Sequence, residues 1–425
     1  MRKGYWIALG LVLVLALGVF AVACGETAEE TTTTAVTTPG STESTAPAES
    51  TTTSAASTEP IKIGFIMSLT GVSAAPAASI IQAAEEEVAF INASGGINGR
   101  QIELITEDDK SDTTAGLAAV TKLIEQTKVD FLIGPFPQWM STPAREISEK
   151  AGMPHIAPGP PTLAELAGDS TVFKYSVMVS TGGDGEADAW AKLVVAEGYK
   201  NVLGIGDQIP VHQDGLKVLA DGMAEQAGFK ITVMPDAWAL DEADITPIAN
   251  KIADQAKTVE PDAIILASNP IHVPAMTKAL RGLGVTVPII GSGAGAHPAI
   301  FMQGPPAVEG NLTIGPGVVN PSALPDDYPA KAELVAFIER FMAAYPDSPP
   351  SLFAGFGYDM INLAAQALAA GGDDPAAVGA ALRGLRWDGA QGSFKYTPAD
   401  SYGIHGGFCE WKVENGQFVF VRTLN

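Results

Sequence analysis

From Ile61 onward, short apolar runs alternate with longer stretches in which apolar residues recur every three or four positions. The short runs predict buried strands, and the longer stretches predict amphipathic helices. Two such series occur, the first from Lys62 to Ile156 and the second from Ala187 to Ile290. Strands that alternate with helices favour parallel sheets with crossover helices on both faces. The pattern therefore predicts an α/β fold with two Rossmann-like lobes.

The first residues have a different pattern. Arg2 and Lys3 precede an almost wholly apolar run from Ile7 to Val22, and small residues follow it. This order is typical of a secretory signal peptide, which we assign to residues 1–23. The domain that follows is then expected to lie outside the cytoplasmic membrane.

The end of the apolar run reads Ala-Val-Ala-Cys, which resembles a bacterial lipobox. We expect Cys24 to be lipidated and to anchor the protein to the cell membrane. An ordinary signal peptide cut near Ala23, or an uncleaved anchor, is the alternative. Residues 24–60 are dominated by Thr, Ser, Ala, Pro and Glu, so they cannot bury enough apolar surface to fold and are predicted to form a disordered stalk.

Charge and motifs exclude several functions. The formal net charge is −23, so no basic surface for nucleic acid is expected. With Cys24 lipidated, Cys409 has no partner for a disulfide and is expected to be a small buried residue. No HExxH, paired-Cys, G-x-S-x-G or Walker pattern occurs, so neither a metal, a cofactor nor an enzymatic activity is predicted. The pairs Asp108-Asp109 and Asp373-Asp374 are interpreted as solvated turns.

Several motifs in this order resemble the leucine/isoleucine/valine-binding protein family, which has the type I periplasmic-binding fold. The Asn-x-x-Gly-Gly-x-x-Gly-Arg string at the end of the first predicted helix is the most specific of them. Gly357-Tyr358-Asp359 is expected to open a helix. The motifs are Ser68–Gly71, Ile91–Arg100, Glu107–Asp109, Val129–Pro135, Gly357–Asp359 and Gly389–Phe394.

The resemblance implies two lobes joined by a hinge, between which the chain crosses three times. One lobe is expected to comprise residues 61–180 plus 311–401, and the other residues 181–310 plus 402–425. It also implies an extracytoplasmic solute-binding protein that delivers a small molecule to the permease and ATPase subunits of an ABC importer. The alternatives are a sensory ligand-binding subunit and a true amino-acid binder with an unusual site.

Ligands of open parallel sheets bind beyond the carboxyl ends of the strands. The resemblance implies that groups after the third and fourth strands bind a ligand carboxylate, and that an acid of the other lobe binds an ammonium group. Here Gln138 aligns with a usual Ser, Pro160-Pro161 with an Ala-Thr pair, and Gly293 with the acid. The predicted ligand-binding residues are Ser68, Thr70, Pro76, Phe136, Gln138, Trp139, Pro160, Pro161, Thr162, Val211, His212, Asn269 and Gly293.

Four of these side chains have a structural alternative. Trp139 would pack on the lobe surface, Gln138 would bond within its own loop, and His212 would be a loop histidine beside the cleft. Asn269 would cap a helix.

The differences from the family pattern at Gln138, Pro160-Pro161 and Gly293 determine which ligand is expected. Nothing in the sequence replaces the acid at Gly293, so a free branched-chain amino acid is not expected to bind, because an unpaired buried ammonium is costly. Phe136, Trp139 and the prolines favour an aromatic or aliphatic body with one polar or anionic head, for example an aromatic carboxylate.

Overall fold

A computed structural model describes residues 59–239, 241–404 and 407–424. The predicted signal peptide, Cys24 and the predicted stalk up to residue 58 lie outside these ranges. Within them, no helix has both the length and the apolar character that a membrane span requires.

The described residues form a parallel five-stranded sheet, a mixed seven-stranded sheet and one short hairpin. The strands are β1 (Ile61–Met67), β2 (Ile102–Asp108), β3 (Phe131–Ile133), β4 (His155–Ala157), β5 (Ser176–Met178), β6 (Asn201–Asp207), β7 (Lys230–Trp238), β8 (Ala263–Ala267), β9 (Ile289–Gly291), β10 (Leu312–Pro316), β11 (Arg386–Asp388), β12 (Ser393–Lys395), β13 (Phe408–Glu414) and β14 (Gln417–Thr423).

Helices connect most of these strands. They are α1 (Ala74–Ala93), α2 (Thr113–Lys122), α3 (Gln138–Ala151), α4 (Leu163–Leu166), α5 (Gly183–Ala196), α6 (Pro210–Val218), α7 (Ala224–Gln226), α8 (Thr246–Val259), α9 (His272–Gly282), α10 (Lys331–Ala344), α11 (Leu352–Gly371) and α12 (Pro375–Leu382).

The first sheet has the order β2-β1-β3-β4-β5, and all its strands are parallel. Both faces of β1 are buried. Ile63 and Phe65 pack with residues of α1 and α11, whereas Ile66 packs on the other face with Leu123 and Ala144. A central parallel strand covered on both faces reads as a continuous apolar run, which is why β1 lacks polar alternation.

The second sheet has the order β14-β13-β10-β9-β8-β6-β7. Strands β6 to β10 are parallel, and β13 and β14 extend the sheet as an antiparallel pair. On one face Trp190 and Leu216 pack over β8, and on the other Leu203 packs with Ile252 and Met276. The prediction of an α/β fold with two lobes is confirmed.

Two predicted lobe boundaries need correction. Leu312–Pro316, predicted to lie in the first lobe, forms β10 and pairs with β9 and β13 of the second sheet. Tyr402, predicted to lie in the second lobe, packs with Ala157 and Met178, and Ile404 joins the first-lobe core. The chain therefore re-enters the first lobe only after Pro316, and leaves it only after Ile404.

The two motifs nearest the C-terminus, Gly357–Asp359 and Gly389–Phe394, contact each other in the first lobe. Gly357-Tyr358-Asp359 does not open a helix, because α11 begins at Leu352 and is capped by the hydroxyl of Ser351. The buried Asp359 carboxylate accepts hydrogen bonds from the backbone N–H groups of Ala390, at 2.6 Å, and Gln391, at 2.8 Å. This contact ties the Gly389–Phe394 segment to α11.

Candidate functional site

The carboxyl ends of the strands carry most of the predicted site residues. In the first lobe they follow β1, β3 and β4, and in the second lobe they follow β6, β8 and β9. Two contacts join the lobes near these ends. His297 of the second lobe lies with its ring centroid 5.6 Å from that of Phe353 of the first, and the N–H of Leu163 donates to Asp214 at 3.3 Å.

Ser68 and Thr70 are used within the first lobe. The buried Ser68 hydroxyl donates to Asp109 Oδ1 at 2.6 Å, and the Thr70 hydroxyl donates to Asp108 Oδ2 at 2.7 Å. These bonds join the loop after β1 to the end of β2. Asp109 is therefore buried, and its interpretation as a solvated turn residue is wrong. The exposed Asp373 instead forms an ion pair with Arg100.

Gln138 and Ser141 lie in the first turn of α3. The helix begins at Gln138, directly after Pro137, which has an extended conformation at the N-cap. The Oε1 and Nε2 atoms of Gln138 and the Oγ of Ser141 are buried without a hydrogen-bond partner. Gly159, after β4, lies against both, because a Cβ at this position would be 2.4 Å from Ser141 Oγ. These three atoms are therefore candidate ligand-binding groups.

An aromatic cluster lies beside them. Phe136 and Phe353 meet edge to face with centroids 6.3 Å apart, and Phe353 also contacts His297. Burial lowers the pKa of His297 to about 4, so its ring is neutral at pH 7. The cluster is therefore an apolar wall to which both lobes contribute.

The other predicted first-lobe residues have mainly structural contacts. Thr162 forms a capping box at the start of α4. Its hydroxyl accepts from the N–H of Glu165, and its own N–H donates to the Glu165 carboxylate. Pro161 is buried and lies against Gly182 at the first crossing between the lobes. Pro160 is half-buried, Trp139 is 47% exposed, and Pro76 lies in the first turn of α1.

Gly293 follows β9 and faces an acidic side chain from another element. Its N–H donates to Glu186 Oε1 at 2.9 Å. Glu186 lies in the first turn of α5 and is buried, and its Oε2 has no hydrogen-bond partner. The expectation that no acid reaches this position is wrong, since Glu186 comes from an element 107 positions earlier in the chain.

A buried polar network adjoins Glu186. The His212 Nδ1 lies 2.7 Å from Asp207 Oδ1, and Asp207 Oδ2 accepts from the N–H of Asn269 at 2.9 Å. Val211 and His212 lie in the first turn of α6, not in an irregular loop. The Asn269 side chain also accepts from the N–H of Ile271, in the turn that precedes α9, and does not cap the helix. His212 and Asn269 both contact Asp207, whereas Gly293 contacts Glu186, and ligand binding by these three residues stays a prediction.

The charges in this network favour an ion pair. Burial alone would lower the pKa of His212, but the adjacent Asp207 raises it above its usual value. Burial would raise the pKa of Asp207, yet His212 and backbone N–H groups hold it below its usual value. Burial raises the pKa of Glu186, although His212 and Gly293 partly oppose this.

Three buried residues here were missed by sequence reasoning: Ser141, Glu186 and Ser268. The Ser268 Oγ is also buried without a partner. One signal was available for Glu186, because it lies four residues before Trp190 and so stands on the apolar face of α5. An acid on such a face is unusual and indicates a specific role.

The described residues contain no cluster of His, Cys, Asp or Glu that could hold a metal ion. A cavity of about 550 Å³ is lined by residues such as Asp188, Lys192, Asp388 and Lys395. It includes none of the side chains that have unpartnered buried atoms, so we place the candidate site at the strand ends instead.

The chain is similar to known proteins over most of its length. The family model for periplasmic binding protein matches residues 60–409. Leu/Ile/Val-binding protein homolog 2 of Brucella abortus (strain 2308) is 28% identical over 335 residues, 76% of this chain and 82% of the relative. An extracellular ligand-binding receptor from Rhodopseudomonas palustris HaA2 has a TM-score of 0.74 and 25% identity, covering 85% of this chain and 99% of that one. An ABC transporter solute binding protein from R. palustris in complex with benzoate has a TM-score of 0.70 and 20% identity, and the match covers 86% of this chain and 96% of that one.

Proposed function

Because the chain belongs to the periplasmic binding protein family, with the type I fold of the leucine/isoleucine/valine-binding proteins, we propose that it captures a small organic carboxylate between its lobes. It then delivers the ligand to the permease and ATPase subunits of an ABC importer. The relatives are solute-binding proteins, and nothing in the proposed role requires chemistry on the ligand.

One observation carries this proposal: buried polar atoms without partners occur at the strand ends of both lobes. A buried polar atom left unsatisfied costs about 1–3 kcal/mol. Gln138 and Ser141 together leave three such atoms in the first lobe, and Glu186 and Ser268 leave two in the second. A ligand held between the lobes would satisfy these atoms, so the closed arrangement is stable only when the ligand is bound.

The first-lobe groups favour a carboxylate. The Gln138 amide and the Ser141 hydroxyl are donors, and they stand in the first turn of the 14-residue helix α3. The partial positive charge at a helix N-terminus adds to the attraction for an anion. The ligand carboxylate is therefore proposed to bind here.

The aromatic cluster favours an apolar ligand body. Phe136, Phe353 and the neutral ring of His297 offer apolar surface from both lobes. An aromatic or aliphatic body would contact these rings, and the R. palustris protein solved with benzoate binds such a ligand. The exclusion of free branched-chain amino acids no longer holds, because it depended on a missing acid and Glu186 lies beside Gly293.

The test begins with native mass spectrometry of freshly purified protein, which should reveal a bound small carboxylate. A ligand at a hundredfold excess over its Kd should raise the unfolding free energy by about 2.7 kcal/mol, measured as a thermal shift. Gln138→Ala should weaken carboxylate binding about tenfold, whereas the exposed Gln226→Ala should not. Neither a co-purified ligand nor a shift with any carboxylate tested would contradict the proposal.

A further inference from the structure

The cavity of about 550 Å³ described above lies between the two lobes, and we call it the hinge cavity. The second lobe contributes one face of α5 together with Met223, and the first lobe contributes the β11–β12 hairpin. The segments near the second and third crossings between the lobes contribute Tyr328, Pro329, Ile404 and Gly407. The hinge cavity therefore adjoins the segments about which the lobes would rotate.

Helix α5 separates the hinge cavity from the strand ends. Asp188 and Lys192 line the cavity and are four positions apart, so they share one face of the helix. Trp190 lies midway between them and therefore on the opposite face. Its Nε1 donates to the backbone oxygen of Gly291, the last residue of β9, at 2.9 Å. The candidate site and the hinge cavity are thus on opposite faces of α5.

Tyr328 is attached to both lobes. It packs against the second-lobe core that contains Trp411 and against the first-lobe cluster that contains Phe337. The lobes touch at the strand ends, where His297 contacts Phe353, whereas the hinge cavity separates them on the other face of α5. A rotation that opens the strand ends would therefore narrow the hinge cavity, because both movements share one axis.

The two walls of the hinge cavity carry charges of both signs. Lys395 lies directly opposite Arg386 in the hairpin, and like charges in such positions repel each other. Within the described part of the chain, neither forms an ion pair. Narrowing would bring Lys395 towards the acids of α5 and so offset this repulsion. The charged groups of the lining are Asp184, Asp188 and Lys192 on α5, and Asp388 and Lys395 on the hairpin.

We propose that the hinge cavity is the counterpart of the ligand cleft: it narrows when the cleft opens, and Lys395 then pairs with Asp188. Side chains of the cavity therefore set the population of the open form, and with it the affinity, without touching the ligand. The apparent Kd is inversely proportional to the fraction of protein that is in the binding-competent form. The inference rests on the proposed function, because it assumes that the ligand binds between the lobes.

Filling the hinge cavity is the first test. Ser393→Trp adds a large ring to the cavity lining and should oppose its narrowing, so that ligand binds about fivefold or more tightly. Arg386→Trp is the matched control, because Arg386 is exposed and lies on the same face of the hairpin but does not line the cavity. The control should bind ligand as the wild type does.

Spin labels measure the opening of the cleft without any ligand. Val72→Cys and Met302→Cys place labels after β1 and after β9, at positions that are 72% and 79% exposed. The distance between the labels, measured by pulsed electron paramagnetic resonance on the full chain, should shorten in Ser393→Trp and not in Arg386→Trp. Protein without the two label substitutions gives the background from Cys24.

A charge reversal tests the ion pair separately and decides the inference if Ser393→Trp does not fold. Lys395→Glu should shorten the label distance and tighten binding about threefold at low salt, the size expected for an exposed pair. High salt should reduce this effect, because it screens exposed charges. Adding Asp188→Lys should return both readouts towards the wild type, because the exchanged charges attract again.

Three results would overturn the inference. They are a label distance in Ser393→Trp or Lys395→Glu that equals or exceeds the wild-type distance, an equal effect of Arg386→Trp, and a failure of Asp188→Lys to reverse Lys395→Glu. The affinity probes are benzoate and L-leucine. If these and other carboxylates did not bind, the proposed function would be wrong, whereas the label distances would still decide whether the hinge cavity controls opening.

Discussion

Replacing Asp207 with Asn should destabilise the second lobe strongly. Its carboxylate accepts from His212 Nδ1 at 2.7 Å, from the N–H of Ile209 at 3.1 Å, and from the N–H of Asn269 at 2.9 Å. The amide has one acceptor oxygen, and its NH₂ group would face a donor. Breaking a buried pair by changing one partner costs about 3–5 kcal/mol. We expect Asp207→Asn to lower the free energy of unfolding by this amount near pH 6.

The loss of unfolding free energy caused by Asp207→Asn should depend on pH, and the pKa shifts give the direction of that dependence. Because the pKa of Asp207 is lowered on folding, its contribution is present above about pH 4, the unfolded value. Because the pKa of His212 is raised on folding, its contribution is complete below about pH 6.5 and is lost as pH rises through the folded value. The cost of Asp207→Asn should therefore be largest between these limits and should fall as pH rises through the folded pKa of His212.

Urea unfolding followed by tryptophan fluorescence is a suitable assay, since Trp190, Trp238 and Trp411 are all buried in the second lobe. The control is Asp188→Asn, which changes a surface pair with Lys192, and such pairs contribute about 0.2–1 kcal/mol. The reasoning would be refuted if both variants cost the same, or if the cost of Asp207→Asn grew from pH 6 to pH 9.

Three further predictions concern the ligand, the anchor and closure. Gly159→Ala should weaken ligand binding at least tenfold, because its Cβ would be 2.4 Å from Ser141 Oγ, whereas Gly282→Ala, with open space around it, should not; titration of both variants checks this. Cys24→Ala should abolish metabolic labelling by fatty acid, and persistent labelling would disprove the anchor; stable attachment requires at least two acyl chains. Ligand should reduce the radius of gyration measured by small-angle scattering, and an unchanged radius in saturated protein would exclude closure by a hinge.

The elements were largely predictable because their hydrophobic periods are clear. The start of α3 was not, because Pro143 lies inside the helix, where a proline usually ends or kinks it. Met140 and Ala144, four positions apart and both buried, continue the apolar face across it. A proline near a helix start removes a single hydrogen bond, and the packing of this face outweighs the loss.

The site was predictable only in part. The segments after the strands could be located from the strand pattern, so Gln138, His212 and Gly293 could be placed at the strand ends, and their ligand contacts stay a prediction. The hydrogen bond between Gly293 and Glu186 could not be predicted, because the two residues are far apart in the chain and a single sequence does not show which distant residues come together. The alternation of strands also gave no indication that β10 pairs with β13, since an antiparallel addition at a sheet edge has no separate pattern.

The interleaving of the lobes also sets an order of events during synthesis. Phe356, Met360 and Ile361 of α11 belong to the same core as β1, although β1 emerges first. The first lobe therefore cannot complete its core until nearly the whole chain has left the ribosome, and its long-range contacts make folding slow. Until then, the uncovered face of its sheet is a surface for aggregation that chaperones must protect. Early termination anywhere before α11 should leave both lobes incomplete.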